Sequence, residues 1–113
     1  MSPDDIYLAS FPFGDSPGMK LRPVLALTGP LGNVPEVLVA YISSVVPSQL
    51  LSSDIVLDPR LPEHRETNLK AESVVRLHKL ATIHIRSVVR RLGKVSPAIG
   101  VEVDNKLRSL LTL

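Results

Sequence analysis

From Val75 to Arg86 the chain alternates regularly, with Val75, Leu77, Ala81, Ile83 and Ile85 on one parity and Arg76, His78, Thr82, His84 and Arg86 on the other. Successive side chains on a strand point to opposite faces, so this stretch predicts a half-buried strand, or two with a bend, showing a basic polar face. Such a strand needs neighbours, and the rest of the chain supplies them. Residues 5–11 mix apolar and small residues as a strand does, and residues 13–20 gather Gly14, Asp15, Ser16, Pro17 and Gly18 as a flexible loop. A second strand carries Val24, Leu25, Ala26 and Leu27. Gly-Pro and Gly-Asn turn chemistry in residues 29–35 then leads into residues 36–42, rich in β-branched and aromatic side chains, which predicts a hairpin. Residues 52–57 read as a short strand, and the polar stretch 58–72, with two prolines and alternating charges, reads as a long surface loop with room for a helical turn.

The last element changes period. Ile99, Val103, Leu107, Leu110 and Leu111 recur at three or four, with Ser96 placed as N-cap and Pro97 at the first helical position, which predicts an amphipathic helix. Gly100 weakens it by about 1 kcal/mol, so packing must hold it. Several short strands followed by one such helix predict an α+β domain: a small antiparallel sheet or open barrel closed on one side by the helix. At 113 residues, 44% of them hydrophobic, the chain is expected to form one domain, 1–113, with one core. It has no cysteine, which removes disulfides and thiolate chemistry and fits a cytoplasmic protein. No window approaches the roughly 18 apolar residues of a membrane span, so no membrane partner is expected.

Charge is divided unevenly along the chain. Residues 1–59 carry two basic against six acidic residues, whereas residues 60–113 carry eleven against five. A basic half attracts phosphate backbones, although most charge runs are solvated surface.

Four positions carry candidate chemistry: Arg22 at the start of the second strand, Ser43 at the end of the third, and Arg76 and His78 on the polar parity of the later one. Residues two apart on a strand share a face, so Arg76 and His78 are expected to address one ligand. Arginine offers a planar fork to phosphate oxygens and stays charged, which makes it a clamp rather than a base. Histidine titrates near neutrality and serves as acid or base. Taken alone, these residues fit an ordinary surface as well: a loop cation at Arg22, solvated side chains at Arg76 and His78, and a hydroxyl at Ser43 that satisfies nearby backbone. His64, His78 and His84 lack the i, i+4 helical pairing of a zinc motif, so no metal is expected.

Three stretches decide between these accounts: FPFGDSPGMKLRPVLAL (11–27), VAYISS (39–44) and SVVRLHKLATI (73–83). In order and spacing they resemble the PemK/MazF family of toxin endoribonucleases, and VVRRLGKVSP with the closing helix is similar to the family's C-terminal pattern. The resemblance covers about the whole chain. It implies an SH3-like β-barrel with a C-terminal helix, acting as a homodimer that cleaves single-stranded RNA at short sequences without cofactor or metal. It also implies a cognate antitoxin, whose extended tail competes with RNA for the basic face. The Arg-Pro pair places Arg22 in the family's N-terminal signature, Ser43 stands where threonine is usual, Arg76 matches an arginine implicated in cleavage, and His78 stands where an aspartate is found. The expected catalytic set is therefore Arg22, Ser43, Arg76 and His78, with substrate contacts from Phe13, Asp15, Lys20, Ser44, Lys79 and Thr82. Two other classes stay open: an RNA-binding barrel weakened in catalysis, and a CcdB-like topoisomerase poison, although the chain ends in LLTL and has no tryptophan.

Overall fold

In the computed structural model the alternating segments become strands β1 (Asp5–Phe11), β2 (Lys20–Ala26), β3 (Glu36–Ser43), β4 (Asp54–Leu57), β5 (Ser73–His84) and β6 (Val88–Lys94), followed by helix α1 (Pro97–Leu110). The structure describes residues 1–11 and 18–113. Every described strand pair is antiparallel, in the order β4-β5-β3-β2-β1-β6, and β2 and β3 form the expected hairpin. The α+β expectation holds, with one refinement. The sheet is open between β4 and β6, so the SH3-like barrel is approximate.

Both sheet faces carry a buried apolar cluster. One face gathers Ile6, Leu25, Ala40, Ile42, Ile55, Leu57, Val75 and Leu77 beneath α1, which contributes Val103, Ile99 and Leu107. The other gathers Tyr7, Ala9, Val24, Ala26, Val37, Val39 and Ile83. The helix starts as its sequence dictates: the Ser96 hydroxyl accepts from the Ile99 amide at 3.2 Å, and Pro97 occupies the first turn. Its apolar stripe outlasts its packing. Leu110 and Leu111 are exposed.

The alternation of β5 conceals a break. Ala40 of β3 pairs with Leu80, but the next residue, Tyr41, pairs with Arg76, so Leu77, His78 and Lys79 form a three-residue bulge. An odd number of extra residues reverses which parity faces which side. Before the bulge, Val75 opposes Ile42 and belongs to the cluster beneath the helix; after it, Ile83 opposes Val37 and belongs to the other cluster.

The stretch 58–72 is more than a surface loop. It contains a 3-10 helix, Pro62–Thr67, and buries His64, Thr67 and Leu69. This segment, which leaves β4 at one edge of the sheet, packs against β6 at the other. Asn68 donates from Nδ2 to the Leu92 carbonyl at 2.8 Å, and Lys94 lies 3.5 Å from Glu66. Gly93 is needed for this fit, since a Cβ there would run into the carbonyl oxygens of Glu66 and Thr67. Among the described residues, no helix is long and apolar enough to cross a membrane.

Candidate active site

The strand register brings three of the four candidate catalytic residues to one face. Val24, Tyr41, Arg76 and Asp54 form a continuous cross-strand row through β2, β3, β5 and β4. Directly opposed residues share a face, as do residues two apart along a strand. Counting two from Val24 reaches Arg22, and counting two from Tyr41 reaches Ser43, both at the same end of the sheet. Lys20, two further along β2, shares the face. Arg22, Ser43 and Arg76, distant in sequence, thus surround Tyr41.

Their side chains are held differently. Arg22 is exposed and donates to the neighbouring Leu21 carbonyl at 3.3 Å. Ser43 turns its hydroxyl onto Val45, accepting from the amide at 3.1 Å and lying 3.3 Å from the carbonyl, a strand-end use that Ser43 shares with many serines. Arg76 is mostly covered, and its Nε lies 2.8 Å from Asp54 Oδ1. The Asp54 side chain has no solvent exposure. Its other oxygen, Oδ2, accepts from the Leu51 amide at 2.8 Å, while the Asp54 carbonyl accepts from Lys106 of α1 at 2.8 Å. Tyr41 stands beside this pair, and burial raises its phenol above the ordinary range, so it remains a protonated hydroxyl at neutral pH.

His78 and Lys79 occupy the bulge and are exposed. The rule that residues two apart share a face does not carry across a bulge, so Arg76 and His78 are related by the loop of the chain rather than by strand alternation. Thr82 is exposed and opposes Leu38, on the face opposite to Arg76. Ser44 is exposed just beyond β3. Phe13 and Asp15 lie outside the described residues. Of the other histidines, His84 accepts from the Arg86 amide at Nδ1, 2.9 Å, capping the turn into β6, and His64 is buried. No group of three or more His, Cys, Asp or Glu among the described residues is placed to hold a metal ion.

Asp54 is the residue that the sequence reading missed. Its signal was a single carboxylate opening the apolar run DIVL, where a strand buries whatever it carries.

A six-stranded antiparallel sheet with one C-terminal helix, carrying Arg22 and Arg76 on one face, is a small barrel-like α+β domain. The PemK-like, MazF-like toxin family of type II toxin-antitoxin systems matches residues 2–111, and the chain belongs to that family. The Mycobacterium tuberculosis toxin MazF-mt6 has a similar structure, with a TM-score of 0.72 and 23% identity over 96% of this chain and 97% of that one. An endoribonuclease from a mycobacterial species, solved in complex with its cognate antitoxin, gives 0.70 at 16% identity over 100% and 96%. A further mycobacterial endoribonuclease gives 0.69 at 15% over 100% and 92%. At these identities the structural likeness shows the fold. A comparison with curated proteins gives no match.

Proposed function

We propose that this chain is the endoribonuclease toxin of a type II toxin-antitoxin pair, cleaving single-stranded RNA at specific short sequences and thereby arresting translation and growth. The observation that carries the reading is the convergence of Arg22, Ser43 and Arg76 on one sheet face in a member of this family. The structural neighbours, two mycobacterial endoribonucleases, one of them in complex with its cognate antitoxin, support it.

The chemistry follows from the residue types. His78 takes the proton of the RNA 2′-hydroxyl, the 2′-oxygen bonds to phosphorus, and the bond to the 5′-oxygen breaks. That oxygen leaves with a proton from solvent, giving a 5′-hydroxyl and a 2′,3′-cyclic phosphate. Arg76 and Arg22 stabilise the charge gathering on the phosphoryl oxygens, and Ser43 orients the group. Phe13, Asp15, Lys20, Ser44 and Lys79 complete the substrate contacts, while Thr82, which opposes Leu38 on the other face, does not join them. The working form is a cytoplasmic homodimer that needs no metal or cofactor, and an antitoxin segment blocks the cationic face.

The test is cleavage of a long single-stranded RNA in excess chelator, with fragment ends mapped. Discrete cuts with cyclic-phosphate ends, lost in Arg76→Ala and His78→Ala but kept in His84→Ala, are expected. Equal losses in His78→Ala and His84→Ala would remove His78 from the mechanism. One observation favours a second reading, an RNA-binding barrel weakened in cleavage: the Ser43 hydroxyl is already engaged with Val45. Tight RNA binding without cuts would select it.

A further inference from the structure

Asp54 has no place in the chemistry above, yet it is the most thoroughly committed side chain near Arg76. Its carboxylate is fully buried, and its two oxygens do separate work. Oδ2 fixes the incoming loop through the Leu51 amide, and Oδ1 lies 2.8 Å from the guanidinium Nε as an ion pair that does not form a hydrogen bond, so the hold on the guanidinium is electrostatic. The backbone under it is pinned from the other side of the sheet edge by Lys106. Asp54 and Arg76 are also direct cross-strand partners, so the carboxylate is delivered to the guanidinium by the β4–β5 register.

We propose that Asp54 is a positioning residue for Arg76, holding the guanidinium by its Nε edge so that the terminal nitrogens meet the scissile phosphate. This rests on the functional reading of Arg76 given above. Four of the five N–H donors of an arginine sit on those terminal nitrogens, and they form the fork that matches two phosphoryl oxygens. A long unbranched side chain with that fork at its tip loses much rotamer freedom when it binds an anion. A buried carboxylate at Nε removes that freedom before RNA arrives. Misplacement of a charge-stabilising group by about 1 Å costs on the order of a hundredfold in rate.

The experiment is a cycle on steady-state cleavage of a short fluorogenic RNA spanning one mapped cut, using Asp54→Asn, Arg76→Lys and the double variant, each checked for folding by circular dichroism. Asparagine keeps an acceptor for the Leu51 amide but loses the charge facing Nε, and lysine has no Nε edge to hold. Asp54→Asn is expected to lower kcat roughly 10- to 100-fold with KM changed less than about threefold. In the Arg76→Lys background the same substitution is expected to add no further loss. A merely structural carboxylate would lower the rate equally in both backgrounds, and that result overturns the proposal, as does wild-type kcat in folded Asp54→Asn. Should Asp54→Asn not fold, Asp54→Glu keeps the charge while moving it by one methylene: a kcat loss with KM preserved supports positioning, and wild-type kcat overturns it. Failure of the parent reading looks different. Arg76→Ala would then cut as well as wild type, whatever Asp54 does.

Discussion

At the β4 edge of the sheet, Arg76 meets a carboxylate with no solvent exposure at 2.8 Å; at the β6 edge, Arg91 meets Asp5 at 3.1 Å with half of its own side chain in water. The residue types are the same, and the consequences are not. Inside, the low dielectric strengthens the attraction but makes either partner costly to leave alone. Outside, water and salt screen the pair. The β6 edge is held instead by shape, with backbone of the Pro62–Thr67 segment lying directly over Gly93. One edge is organised around a charge that has to stay in place, and the other around a close fit of main chains.

The sharpest way to break this contrast is Arg76→Ala, which strands the Asp54 carboxylate. A loss of about 3 kcal/mol is expected in urea unfolding, and a loss no larger than that of Arg91→Ala would erase the distinction between the edges. Gly93→Ala comes next. It forces a Cβ into the Glu66 and Thr67 carbonyls, where backbone has to move, and should cost roughly 2 kcal/mol by the same measurement.

Arg91→Ala should cost clearly less than Arg76→Ala at neutral pH, and less still in high salt. Its pH dependence is the sharper probe. Burial works against ionising Asp5, but hydrogen bonds from Arg91 and Tyr7 outweigh it and hold the carboxyl below its ordinary value. A lowered carboxyl contributes stability that is fully present above the unfolded pKa, about 4, and is lost as pH falls through the lowered folded value. The gap between wild type and Arg91→Ala should therefore close in acid. The smallest effect belongs to the bulge: His78→Ala should change stability by no more than about 0.5 kcal/mol, because the side chain is exposed. A large drop would mean that the bulge, too, is structural.

Much of the fold was legible in the sequence because its signals are local. The β2–β3 hairpin, the capped start of α1 and the alternation of β5 each depend on residues within one element. What escaped was set by pairing between elements. Nothing in the run from Ser73 to His84 announces that β3 skips Leu77, His78 and Lys79, since parity within β5 is almost undisturbed. The stretch 58–72 read as loop because its three buried residues, His64, Thr67 and Leu69, follow neither period, being buried against another edge. At the site, Arg22, Ser43 and Arg76 were visible as residue types fit for phosphate, but the carboxylate facing Arg76 depends on the β4–β5 register, which no motif encodes.

The three-residue bulge also decides where the length of this segment can vary. Losing or gaining one residue between Arg76 and Leu80 changes the size of the bulge, while the pairs Tyr41–Arg76 and Ala40–Leu80 on either side keep every later side chain on the face its β3 partner sets. The same change within the paired run from Leu80 to His84 would slip the register by one and exchange the faces of Ile83 and Thr82. Where an alignment demands a single-residue gap in this strand, the gap therefore belongs in the bulge.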